Sequence, residues 1–196
     1  MRKLSISILS MLAISGVFAQ TKENLKKAET IAIHVGAFDF TTPQLIRSTS
    51  MGSVMSNDKW TKLKDQDLAL GISYMRGLSN YFDFSANYFL TSVDYPFRDG
   101  TPEYGTTYLL HEVDASVHAK LLTDAAFFTP YLSAGIGASA YKGGRFDAFM
   151  PVGAGVQLKL SPATFVFGNF QYRVPVTERA NYHFVASLGI GYAVGK

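Results

Sequence analysis

Cysteine is absent from all 196 residues. A chain without it can form no disulfide scaffold and carries no acceptor for a lipid anchor behind its N-terminal apolar stretch, so stability must come from complete hydrogen bonding and packing. Long apolar runs are scarce as well. Past Gln20 no continuous stretch reaches the roughly 20 residues that a membrane-crossing helix needs, which excludes a helical membrane protein. A dominant charge is also missing. The sequence has 18 Lys+Arg against 15 Asp+Glu, and setting aside Arg2 and Lys3 leaves 16 against 15, a balance that gives nucleic acid no field to follow. The four histidines are scattered, with no His-x-His or His-Glu-x-x-His spacing, so neither a metal nor another cofactor is expected.

What is present begins with a short basic start at Arg2 and Lys3. An apolar stretch follows from Leu4 to Val17, diluted by Ser5, Ser7, Ser10 and Ser15, and Val17-Phe18-Ala19 closes on a small residue. This is the pattern of a cleaved export signal over residues 1–19. Gln20 to Glu29, with Lys22, Lys26 and Lys27, reads as a flexible tail or one short amphipathic turn.

From residue 30 to 196 the apolar residues alternate with period two, the mark of strands with two unlike faces. Eight segments are predicted: Thr30 to Phe40, Asp67 to Gly77, Tyr81 to Tyr95, Tyr108 to Leu122, Phe127 to Tyr141, Asp147 to Leu160, Thr164 to Pro175 and Asn181 to Gly195. The links between them alternate in length. Long or modest links (41–66, 96–107, 142–146, 176–180) take turns with short ones (78–80, 123–126, 161–163), as in an antiparallel meander whose two ends face different compartments.

The two faces differ in kind. In the fourth segment Leu109, His111, Val113, Ala115, Val117, Ala119 and Leu121 alternate with Leu110, Glu112, Asp114, Ser116, His118 and Lys120. In the fifth, sixth and eighth the polar face is largely glycine and serine. Glycine weakens a strand and is an odd choice for a solvent surface. Inside a narrow barrel it makes room for long side chains from neighbouring strands. The apolar face is therefore assigned outward to lipid, and the strands must close on themselves because an open edge has no partners in hydrocarbon. Tyr182 and Tyr192 near the ends of the last outward run, and Tyr81, Phe82, Phe127, Phe128, Phe165 and Phe167 beside the short turns, suggest aromatic girdles. The expected fold is an all-β, eight-stranded, antiparallel, up-and-down transmembrane β-barrel.

These features, with the terminal Tyr182-His-Phe-Val-Ala-Ser-Leu-Gly-Ile-Gly-Tyr192, resemble the outer-membrane β-barrel superfamily. Within it the chain is most similar to the transmembrane domain of the OmpA and OmpX type, as in compact porin-family proteins of Bacteroidetes-like bacteria. The resemblance covers essentially the whole chain after the signal and implies an outer-membrane location with both termini periplasmic. It implies as partners the membrane lipid, lipopolysaccharide and the barrel-insertion machinery. The chain ends in Lys196 where the family has an aromatic, and no peptidoglycan-binding domain follows the barrel, so no cell-wall tether is expected.

The lumen is expected to hold His34, Asp83, Asn87, Gln157, Asn169 and Gln171 around a network of Glu112, Asp114, His118, Lys120, Lys159, Arg173 and His183. Both signs are present, so ion pairing across a plugged interior, with at most a narrow pore, is the expected arrangement. The long first loop offers a contact surface of Arg47, Lys59, Trp60, Lys62 and Lys64, for lipopolysaccharide phosphates or for an envelope or extracellular protein. Two other classes fit the residues less well. A lipid A-modifying enzyme needs a lipid-facing His with a Ser or carboxylate partner. His111 is the outward histidine, and its neighbour Glu112 must point the other way. A soluble lipocalin-like barrel would need the apolar face turned inward. The expectation is a non-enzymatic barrel with a structural or surface-interaction role.

Overall fold

The computed structural model describes residues 25–94, 107–141, 145–178 and 181–195. The export signal, Lys22, most of the second long link, residues 142–144 and Lys196 lie outside these. Eight strands are formed: β1 Thr30–Asp39, β2 Asp67–Gly77, β3 Phe82–Asp94, β4 Thr107–Lys120, β5 Phe128–Tyr141, β6 Arg145–Lys159, β7 Thr164–Pro175 and β8 His183–Ala193. Each is antiparallel to the next, and β8 pairs with β1 to close the barrel, as the alternation predicts. β6 begins two residues earlier than the spacing suggested and β8 two residues later.

The short turns are built by serine. Ser79 Oγ accepts from the backbone N–H of Phe82 at 3.1 Å, and Ser161 Oγ accepts from Thr164 N–H at 3.0 Å. Both lie at one end of the barrel, the turn end, where β1 starts and β8 finishes.

Period-two side chains sort as a pleat requires. Ile33, Ile136 and Leu188 stand outward, 64%, 70% and 60% exposed, while Glu112 and Arg173 are sealed inside. The interior is narrow, and large rings fit because glycine faces them across the ladder. His34 pairs with Gly71 on one side and Gly189 on the other, Tyr131 with Gly155, Phe149 with Gly137, and Phe167 with Gly189. A Cβ at Gly189 would come within 2.7 Å of the Phe167 ring, so the missing side chain is what admits the ring. Between His34, Tyr131 and Phe167 only about 10 Å³ stays empty. That is room for a single water.

Three expectations change. The first long link is folded: it holds helices α1 (Thr41–Ser48) and α2 (Met51–Ser56) and a 3-10 turn at Leu63–Asp65. Asp39 starts α1 by accepting from Thr41 and Thr42 N–H at 3.0 and 2.9 Å, and Ser50 caps α2 by accepting from Ser53 N–H at 3.1 Å. Thr42 Oγ1 donates to Thr61 Oγ1 at 2.9 Å and ties the returning chain to α1. Beneath it Phe38, Phe40, Phe89, Val93, Leu110 and Val185 form an apolar stopper at this loop end. Second, residues 25–29 are packed rather than loose. Lys27 C=O accepts from Gly77 N–H at 3.0 Å, and Glu29 C=O from Val194 N–H at 2.7 Å, which extends the ladder on both sides of β1. Third, Phe167 is buried in the lumen with Phe165 packed against the same cluster, so neither belongs to an outer girdle.

Candidate functional site

The interior polar groups fall into two sets, each placed by strand register. In the loop half, Arg173 is 0% exposed and pairs through Nη1 with Glu112, while its Nη2 lies 3.4 Å from Asp114 Oδ2. Glu112 also accepts from Ser139, its direct partner across β4 and β5, at 2.6 Å, and lies 3.4 Å from His183 Nε2. Asp114 accepts from Asn87, its partner across β3 and β4, at 2.7 Å and from Ser116 at 2.8 Å. A buried charge is tolerated only when paired and hydrogen-bonded, and each of these carboxylates has at least two donors. The rings of Phe38, Phe89 and Phe149 surround the guanidinium at 5.3, 5.0 and 4.8 Å, close enough for cation–π attraction.

The network continues toward the middle of the barrel. Ser73 donates to Asn87 Oδ1 at 2.7 Å, and His34 Nε2 lies 2.8 Å from Ser73 Oγ. A hydroxyl has one proton to give, so His34 Nε2 must be the protonated nitrogen. His118 stacks on Tyr131 at 4.5 Å and is hydrogen-bonded to Ser85 at 3.0 Å.

The second set closes the turn end. Lys120 Nζ lies 2.8 Å from Asp83 and 2.7 Å from Asp124. Lys27 enters from below, 3.5 Å from Asp83 and 3.4 Å from Asp124, with its Nζ on Gln157 Oε1 and 4.2 Å from the Phe165 ring centre. Burial lowers the Lys27 ammonium from its ordinary range, and Asp124 and Asp83 pull it back up. Lys159 stands half-buried at the rim and donates to the Asp124 carbonyl at 3.0 Å. A cleft of about 390 Å³ opens beside Lys27, between Thr129, Gln157 and Phe165.

Glu112, Asp114, Arg173 and His183 are thus brought together, His118 sits at mid-barrel, and Lys120 and Lys159 belong to the turn-end set. The first-loop residues divide likewise. Arg47 and Trp60 fold against the outside of the wall, with Arg47 Cζ 3.7 Å above the Tyr182 ring and Trp60 stacked on Phe184 at 5.6 Å. Lys59, Lys62 and Lys64 point to solvent. His111 faces outward and is hydrogen-bonded to Tyr88 at 2.7 Å, on the opposite side of the wall from Glu112.

Sequence reasoning missed Lys27, Asp124 and the inward Phe165 and Phe167, and it set Ser139 on the inner face without its bond to Glu112. The two phenylalanines carried a readable signal, since they share odd parity with Asn169, Gln171 and Arg173. Lys27 carried none, because it breaks the phase of β1, in which even residues face inward.

A closed antiparallel meander with aliphatic residues standing outward and ion pairs sealed inside has the polarity of a barrel built for hydrocarbon, the inverse of a soluble one. Its fold is that of small outer-membrane barrels. It is similar to Neisserial surface protein A (TM-score 0.59, 14% identity, covering 86% of this chain and 98% of that one). It is similar also to Ail, the attachment invasion locus protein of Yersinia pestis (0.51, 13%, 85% and 98%), and to the outer membrane protein OprG from Pseudomonas aeruginosa (0.50, 10%, 85% and 96%). No protein-family model matches the chain, and no curated protein matches it in sequence.

Proposed function

We propose that the chain is an integral outer-membrane barrel with a structural or surface-interaction role, its lumen plugged by ion pairs and rings. The observation that carries this is the inverted polarity: aliphatic side chains outside and the Arg173, Glu112 and Asp114 group inside. Both termini and the short turns lie at the periplasmic end, and the folded first loop faces outward, since tight turns mark the periplasmic side of such barrels. Lipid and lipopolysaccharide are its immediate surroundings, the insertion machinery its partner during assembly, and Lys59, Lys62 and Lys64 are among the exposed charges of its outer face. The apolar stopper at the loop end and the Lys27 group at the turn end support a lumen that does not conduct. The non-enzymatic reading draws on His111, whose partner is the Tyr88 hydroxyl and not the Ser or carboxylate that a lipid A-modifying site would place there.

The test is fractionation of the native cells, followed by gel migration of the detergent-extracted protein before and after boiling. Recovery with the outer membrane and a boiling-dependent shift are expected. A soluble protein with no shift refutes the proposal.

A further inference from the structure

The first loop does more than cover one mouth of the barrel. α1 lies against β8 and carries Arg47 to a point 3.7 Å above the Tyr182 ring. Arg47 also stands beside Tyr172, which stacks on Tyr182 at 5.8 Å. Further along the same loop, Trp60 lies flat on Phe184, its plane 6° from that ring, and Phe184 in turn packs on Tyr172 at 5.2 Å. Two stretches of chain far apart in the loop thus converge on one patch of the exterior of β7 and β8.

Depth gives the patch its meaning. The outward apolar run of β8 extends from Phe184 to Tyr192. Eight residue steps span about 26 Å along a strand and about 20 Å once tilted, about 5 Å short of an apolar band of about 25 Å. The ten steps from Tyr182 to Tyr192 span about 33 Å and about 25 Å once tilted. Phe184 therefore lies just inside the loop-side edge of the hydrocarbon, and Tyr182, one pleat further on, marks that edge, where the lipid headgroups begin. Arg47 is exposed there and forms no ion pair among the described residues. One face of its guanidinium is spent on Tyr182. The N–H edges left over form the planar fork that suits a phosphate. The loop from residue 41 to 66 carries Arg47, Lys59, Lys62 and Lys64 against Asp58 and Asp65, a net charge of +2. The open face of Trp60 offers an aromatic plane beside that charge, and Phe170 and Leu188 line the wall below, where acyl chains would run.

We propose that this patch is a binding site for the phosphorylated sugar headgroup of an outer-leaflet glycolipid, with Arg47 on a phosphate and Trp60 against a sugar ring. The inference rests on the membrane reading above. It is more specific than an attraction of loop lysines to an anionic surface, because it names one wall of the barrel and one arginine.

Trp60 is the sole tryptophan of the chain, so its emission reports on this patch alone. The full chain, refolded into phosphatidylcholine vesicles and checked for its boiling-dependent shift, would be titrated with bisphosphorylated lipid A, its dephosphorylated form and phosphatidylglycerol. A saturable change in Trp60 emission is expected with the bisphosphorylated lipid. The response should be weaker by about tenfold with the dephosphorylated lipid and in Arg47→Gln, with Arg47→Lys between, since lysine keeps the charge but not the fork. Raising salt to about 1 M in the wild-type protein should release much of the bound lipid, a measurement independent of any variant. Equal responses to the phosphorylated and dephosphorylated lipids, an unchanged response in Arg47→Gln, or an equal response to phosphatidylglycerol would each overturn the site. Those results in a barrel that shows its boiling shift leave the membrane reading standing; a chain with no shift and no outer-membrane recovery defeats that reading itself.

Discussion

Arg173→Met tests whether the lumen is held by its charges. The methionine keeps most of the stem volume among Phe38, Phe89 and Phe149 and deletes only the guanidinium. Removing one partner of a buried ion pair costs about 3 to 5 kcal/mol, because the other charge is stranded. Here both carboxylates keep donors: Glu112 retains Ser139 at 2.6 Å, and Asp114 retains Asn87 and Ser116 at 2.7 and 2.8 Å. The loss should therefore fall at the low end, about 3 kcal/mol, or more than a hundredfold in the folding equilibrium. Adding Glu112→Gln neutralises the stranded acid, so the double variant should recover at least about 1 kcal/mol of coupling. The assay is urea unfolding in phospholipid vesicles, read by the fraction of protein that keeps its boiling-dependent gel shift. A single variant that loses less than about 1 kcal/mol, or a double variant no better than the single, would show that the rings and the backbone ladder carry the interior without the ion pair.

Leu188 lies midway along the outward run of β8, and Leu188→Arg should lower stability in vesicles by about 2 to 4 kcal/mol; equal stability would mean that this face does not meet lipid. Gly155→Val should collide with the Tyr131 ring and, at 2.6 Å, with the Gly168 carbonyl, and so lower refolding yield; a normal yield would refute the close approach of ring and glycine. Lys27→Met keeps the buried stem but leaves Asp83 and Asp124 with only Lys120. It should speed trypsin cleavage of the N-terminal segment after Lys26 and cost about 1 to 3 kcal/mol. Unchanged cleavage and stability would mean that the segment is held by its backbone bonds to Gly77 and Val194 alone.

Strand number, direction and facing were legible because a pleat has a fixed period. Once Glu112 and Asp114 are placed inward, every other residue of β4 follows, and the same holds for Arg173 and β7. Phe165 and Phe167 show the rule's force: nearness to a turn suggested a girdle, but phase relative to Arg173 decides, and phase put them inside. The rest was hidden because it depends on contacts between segments with no shared period. α1 is only eight residues long and takes its capping oxygen from Asp39, which belongs to β1. Lys27 enters the barrel only because the chain leaves strand phase before Thr30, and its partners Asp83 and Asp124 lie on other hairpins.

The pairing of rings with glycines bears on how such a wall could change its trade. In most cores a deleted ring is partly replaced as neighbouring side chains relax into the gap. On one side of Tyr131, Phe149 and Phe167 the facing residue is a glycine, and its backbone is held in place by the closed ladder. A truncated ring would leave a gap that this glycine side of the wall has no side chain to fill. The plugged barrel is thus a tube stoppered by a few side chains, and a path for water is separated from it by a short list of substitutions rather than by a new fold.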